Sequence, residues 1–282
     1  MNDGIHYKDG DWLRAKDMNL SVFDLSVTRG IAVFDYLRTY NKKPFMLRQH
    51  YQRLINSAGV LNIDIDFKFE EITSIINKGI KKNSTYDEFG IRMIITAGTS
   101  PKQGSLLPGK PVLIILFEEF EDPPQAWYEN GLRLKTINSV RILPSAKTAD
   151  YKLAFIGMNK ARESGMDDVL YVDENNCILE SSTSNIFCVK NSVLFTPKLD
   201  VLGGITRGLV IEIAKQINVK VEENCISLDN ALESEEIFAT ATNKEIVPVG
   251  YINNSKIGDR MPGGITQKLH SELKKYIDKV SS

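Results

Sequence analysis

The sequence is short of the residues that metal and acid–base enzymes usually rely on. Only His6, His50 and His270 are histidine, and none stands in an HExxH or comparable ligand spacing. Cys177, Cys188 and Cys225 are odd in number and scattered, which suggests neither a disulfide framework nor a CxxC metal site. Reduced thiols and no metal are the expectation. There is no GxSxG elbow and no GxxxxGK[ST] phosphate loop. A surplus of charge is missing too: the formal net charge is -1, so no global field draws the chain to nucleic acid or to an anionic membrane. The longest purely apolar run, "VLIILF" at 112–117, suits a buried strand and is far too short to cross a bilayer. The opening "MNDGIHYKDGDW" lacks the basic and apolar regions of a signal peptide, so a cytoplasmic protein is expected. What is present is the balance of an ordinary globular protein, 42% hydrophobic and 25% charged over 282 residues. Any chemistry must come from lysine, carboxylates, hydroxyls or a borrowed cofactor.

Periodicity divides the chain in two. "VFDYLRTY" (33–40) reads as a strand and "PFMLR" (44–48) as its returning partner. Tyr51, Leu54, Ile55 and Ala58 then fall on one helical face, with Gly59 as the stop. A second helix is expected over 69–82, and strands over 91–98 and 111–120. These make a small α/β domain, 1–120. "EDPPQAWYENG" (121–131) reads as a linker, because adjacent prolines cannot continue a helix or a central strand. A larger domain, 132–282, follows, with helices over 151–164, 206–217 and 265–279 and short strands between. The expected architecture is mixed α/β in two domains, with the chemistry at their junction.

Several stretches carry two readings each. In "SAKTADYKLAF" (145–155), Lys147 and Lys152 both stand near aromatic residues, and a buried lysine beside an aromatic can become a nucleophile towards carbonyls. "VLGGITRGLVIEIAK" (201–215) is either an anion-binding helix start or a flexible loop with an ordinary Thr206 cap. "ILESSTSNIF" (178–187) places Glu180 before four hydroxyl residues and Asn185. It reads as a site-lining segment or as a polar turn. "EIFATATNKEI" (236–246) puts Thr240 and Thr242 on one side if it stays extended, or is simply the end of a buried strand. Arg53 on its helix either snorkels to water or meets a phosphate. Arg92 sits between apolar neighbours, where a charge must be paired or hold an anion unless the strand is an edge.

Taken together and in order, these stretches resemble the class IV aminotransferases. These pyridoxal-phosphate (PLP) enzymes of fold type IV include branched-chain aminotransferases, D-amino-acid aminotransferases and 4-amino-4-deoxychorismate lyases. The matching pieces are "GIAVFDYLRTY", "PFMLRQHYQRLINSA", "RILPSAKTADY", "ILESSTSNIF", "LGGITR", "ATATNKEI" and "GGITQKL", spread over nearly the whole chain. The resemblance decides between the lysines. Lys147 precedes Glu180 by 33 residues and Lys152 by 28, and the family spacing is slightly more than thirty. Lys147 is then implied as the residue that joins PLP covalently and moves protons. Glu180 is implied as partner of the pyridine nitrogen, Tyr151 of the ring oxygen, and Asn185 as support for the glutamate segment. Arg53, Ile205, Thr206 and Thr242 are implied as phosphate holders. A homodimer that shares loops between subunits is implied as well, acting on amino acids and 2-oxo acids.

Substrate choice follows the loops, where the match thins. Branched-chain enzymes often show Tyr-x-Arg on the third strand; here Arg92 fits, but Gly90 occupies the tyrosine position. The places where D-amino-acid enzymes carry Arg and His hold Lys102 and Gly104. Asp35 replaces a common Glu, and Asp150 stands where relatives often carry Asn. Phe34, Arg92 and Lys102 are the substrate-binding candidates. A branched-chain-like aminotransferase is the first expectation, aminodeoxychorismate lyase the second and D-amino-acid aminotransferase the third, with a PLP carrier without turnover as the reading of a different class.

Overall fold

The computed structural model describes residues 4–102 and 104–282. The chain divides into two compact units. One comprises Met1–Glu121 with Ala146–Asp150 and Ser281, and the other Asp122–Ser145 with Tyr151–Val280 and Ser282.

The first unit is a six-stranded antiparallel sheet backed by helices. Its inner strands are Ala32–Tyr40, Phe89–Thr96 and Val112–Glu119, and alternation dictates their faces. Val33, Leu37, Ile91, Met93, Ile95, Ile115 and Phe117 point to one side. There they meet Leu54 of the helix Leu47–Val60 and Ile72 and Ile76 of the helix Phe69–Lys82. Gly79 is required for this close approach, since a Cβ there would run into the Phe117 ring. The expected strand over 44–48 is corrected: only Lys43–Pro44 pairs, and the helix begins at Leu47. Gly59 lies inside that helix rather than ending it. The strands Ile5–Lys8 and Asp11–Arg14 carry too little apolar alternation to have been read from sequence.

In the second unit a mixed sheet runs through Leu132–Asn138, Asp168–Val172, Cys177–Ser181, Asn185–Lys190, Glu236–Ala241 and Glu245–Ile252. The helix Lys152–Glu163 connects the parallel pair Leu132–Asn138 and Asp168–Val172, and Gly165, at φ 67°, follows it. Asp168–Val172 is buried along its whole length, as a strand covered on both faces should be. The stretch expected as a linker holds the short helix Gln125–Asn130, for which Pro124 supplies an extended lead-in. The thiol expectation is corrected as well: Cys177 and Cys225 form a disulfide with Cα atoms 5.8 Å apart. Pairing of Ser227 with Cys177 across neighbouring strands brings them together, a long-range register that spacing alone does not reveal. Cys188 is a free thiol, pushed up to about 12 by burial.

Candidate active site

Lys147 belongs to the first unit, and backbone pairing fixes it there. Its carbonyl accepts from Phe34 N–H (3.0 Å), its own N–H donates to Ser57 Oγ (3.0 Å), and Ala149 N–H donates to Ala32 O (2.8 Å). A bridge between Val33 and Thr148 completes this short attachment to the strand edge. The side chain is half-buried, with Nζ 4.6 Å from the centre of the Phe34 ring. Lys152, by contrast, is the exposed first residue of its helix.

On the core side of the same strand, Asp35 is fully buried and is met by Arg53 and His50 of the helix Leu47–Val60. Arg53 makes a bidentate pair with it, Nε to Oδ2 at 2.7 Å and Nη2 to Oδ1 at 2.8 Å, and His50 Nδ1 lies 2.7 Å from Oδ1. Burial pushes the Asp35 carboxyl up, but Arg53 and His50 outweigh it and hold the group well below the usual carboxylate range. Burial also pushes the His50 imidazole down, against the pull of Asp35. The sequence reading marked Asp35 only as an unusual residue and missed His50 and Ser57. Their spacing by three and four residues along one helix, around Arg53, was the available signal. Arg92, on the strand Phe89–Thr96, is partly exposed, with Nη2 3.7 Å from Glu118. Lys102 is exposed in the loop that follows this strand.

Glu180 belongs to the second unit and is buried at the end of the strand Cys177–Ser181. It accepts from Arg141 Nε at 2.7 Å, from Leu202 N–H at 3.1 Å and from Asn185 Nδ2 at 3.3 Å. Asn185 also donates to Leu202 O (2.8 Å), and it lies opposite Glu180 in the sheet register. Arg141 was not singled out from sequence, because nothing in "RILPSAK" distinguishes it from a surface arginine. Ile205 and Thr206 open the helix Ile205–Gln216, whose N-cap Gly204 supplies no side-chain hydrogen bond. A Cβ on Gly204 would collide with Asn185 Oδ1, so the loop backbone passes close to the glutamate segment. Thr240 pairs in register with Asn185, and its hydroxyl is buried without a hydrogen-bond partner among the described residues. The extended reading of 236–246 is corrected: the strand stops at Ala241, and Thr242 stands in the turn closed by Lys244 N–H on Ala241 O. Tyr151 is partly exposed and precedes the helix Lys152–Glu163.

With this geometry in place, comparison with known proteins is specific. The profile of the family Amino-transferase class IV matches residues 32–252. A Thermotoga maritima protein named "Probable branched-chain-amino-acid aminotransferase" is 32% identical over 277 residues, 95% of this chain and 94% of its own. D-alanine aminotransferase of Staphylococcus haemolyticus is 25% identical over 281 residues, covering 97% and 98%. Among solved structures, the T.th. branched-chain amino acid aminotransferase with pyridoxamine 5'-phosphate superposes with a TM-score of 0.91 at 26% identity. That match covers 98% of this chain and 95% of the other. The chain belongs to the class IV aminotransferases. It is a PLP-dependent enzyme of fold type IV.

The residues present fit that cofactor. A helix start without a side-chain cap leaves N–H donors for a phosphate, and Gly203 has open space where a Cβ would stand. The partnerless Thr240 hydroxyl is a further polar atom in this region. Glu180 is a buried carboxylate held in one orientation by three donors. No group of three or more His, Cys, Asp or Glu among the described residues is arranged to hold a metal, and no helix is long and apolar enough to cross a membrane.

Proposed function

We propose that this enzyme moves an amino group between a branched-chain-type L-amino acid and a 2-oxo acid, with Lys147 as the residue that carries the cofactor. The observation behind the lysine is its docking. Backbone bonds to Phe34 and Ser57 hold Lys147 half-buried against an aromatic ring, whereas Lys152 is solvated. The donor class is supported by the name of the T. maritima relative and by the T.th. structure.

Bound PLP supplies an aldehyde that captures amines and a ring that draws electrons from the substrate Cα. The protein residues do the rest. Glu180, oriented by Arg141, Asn185 and Leu202, would be the carboxylate that keeps the ring nitrogen protonated. Arg53, oriented by Asp35, would hold the phosphate, a role shared with the Ile205 and Thr206 N–H groups and Thr242. Tyr151 donates to the ring oxygen. Lys147 would carry the cofactor through Nζ, and its free amine would be the base and acid that moves the substrate Cα proton. Arg92 receives a substrate carboxylate and Phe34 forms the wall beneath it. The working form is a homodimer, consistent with exposed Val22, Phe23, Val27, Leu106 and Leu107, which leave apolar surface for a second subunit.

Mixing the holoenzyme with L-leucine should bleach the cofactor's visible absorption, and 2-oxoglutarate should restore it. Release of pyruvate from aminodeoxychorismate without that cycle would replace the proposal with the lyase reading. Sedimentation of a fully active monomer would remove the dimer.

A further inference from the structure

Tyr36 and Gly90 are a matched pair of large and small residues on neighbouring strands. In the antiparallel register Tyr36 faces Arg92 and Arg38 faces Gly90, so Tyr36 and Gly90 are diagonal neighbours on one face of the sheet. A Cβ built on Gly90 would collide with the Tyr36 hydroxyl and lie 3.0 Å from Cζ of its ring. Glycine inside a strand is unfavourable, and here it marks the place where that ring lies down. The same ring is a platform. The Arg92 guanidinium carbon lies 5.4 Å from the centre of Tyr36 and 5.6 Å from that of Phe34, within cation–π range of both. Phe34 is in turn the ring against which Lys147 Nζ rests, 4.6 Å from its centre. Arg92's anionic neighbour Glu118 is 3.7 Å away and both side chains are over a third exposed, a pair that a ligand carboxylate can displace at little cost.

Resting on the reading of Arg92 as a carboxylate receptor, we infer that Tyr36 is the positioning residue for this receptor and that Gly90 is the socket that admits it. The Tyr36 ring holds the guanidinium in place for the side-chain carboxylate of a dicarboxylic amino acid or 2-oxo acid. The space that a side chain at position 90 would need is filled from the adjacent strand. The ring acts through Arg92, and its hydroxyl is not needed as a donor.

The experiment is steady-state kinetics of the holoenzyme with 2-oxoglutarate and with L-leucine, alongside PLP titration and thermal melts. The variants are Arg92→Ala, Tyr36→Phe, Tyr36→Ala and the exchange Tyr36→Gly with Gly90→Tyr. Tyr36→Ala should raise KM for 2-oxoglutarate about fivefold, the size expected for losing a cation–π contact at a partly exposed site. KM for leucine and PLP affinity should stay within about twofold. Tyr36→Phe should behave like wild type, and the exchange should recover most of the loss seen with Tyr36→Ala. Equal loss for both substrates, or a Tyr36→Phe defect as large as that of Tyr36→Ala, would overturn the inference. So would an exchange variant that melts normally but recovers nothing. If Arg92→Ala selectively loses 2-oxoglutarate while Tyr36→Ala does not, only this inference fails. If Arg92→Ala leaves 2-oxoglutarate unaffected, the receptor reading fails and takes the inference with it.

Discussion

The two units hold their carboxylates by different means. Asp35 in the first takes both its side-chain partners, Arg53 and His50, from one helix, and adds the N–H of its neighbour Tyr36 at 2.7 Å. Glu180 in the second shares one arginine with a backbone N–H and a neutral amide. A buried carboxylate paired with an arginine leaves that charge uncompensated when it is removed. Losing one neutral donor of several costs less than losing a charged partner. The first arrangement suits a part that must not move, such as the mounting of Arg53.

The sharpest break in this comparison comes at the lysine. Lys147→Ala should abolish covalent PLP attachment and lower turnover by about a thousandfold or more, whereas Lys152→Ala should retain both. Borohydride reduction and peptide mapping read the result, and a label on Lys152 would reverse the assignment. Next, Asp35→Asn should destabilise by about 3–5 kcal/mol in urea unfolding, because it leaves Arg53 buried opposite a neutral group. The pH dependence sharpens the same point. The Asp35 carboxyl is depressed in the folded state, so its stabilisation is present above the unfolded value of about 3.9 and is lost as pH falls through the lower folded value. His50 is also depressed, so the unfolded state takes up a proton below about pH 6.5 before the folded state does, and stability should already decline there. Urea titrations from about pH 7 to about pH 3 should show both limbs in the wild type. Asp35→Asn should lack the lower one.

In the second unit the disulfide is the larger effect. It closes a span of 48 residues, and Cys225→Ser should cost about 4 kcal/mol by loop closure under oxidising conditions and nothing in reductant. Differential scanning calorimetry with and without reductant tests this. The smallest effect is expected at Asn185→Ala, about 1 kcal/mol, because Arg141 and Leu202 still hold Glu180. A loss as large as that of Asp35→Asn would erase the distinction between the two units.

How far the chain could be read in advance follows the same division. Alternation in 33–40 and 91–98 and helical spacing in 69–82 are local patterns, and the strands and helix they predict are present. The short strands near the N-terminus and the helix start at Leu47 depend on partners far along the chain, which periodicity does not encode. Lys147, Glu180 and the Ile205–Thr206 helix start stand out in the sequence as ordered motifs, and the proposed roles rest on them. Their supports do not stand out. Arg141 meets Glu180 across 39 residues and Ser57 meets Lys147 across 90, and neither side chain carries a distinguishing neighbourhood. Thr242 was misplaced because the strand ends one residue earlier, at a turn that demands a positive φ at Glu245.

The segment that carries Lys147 also has a protective role. Residues 147–149 occupy the open margin of the Ala32–Tyr40 strand at one end, while Lys43–Pro44 covers the other. Unpaired strand margins are templates for pairing between molecules. A lesion that loosens this segment therefore does more than misplace an amine. It uncovers a sticky border, so damaged copies would be lost to aggregation rather than persist as a soluble, inactive pool.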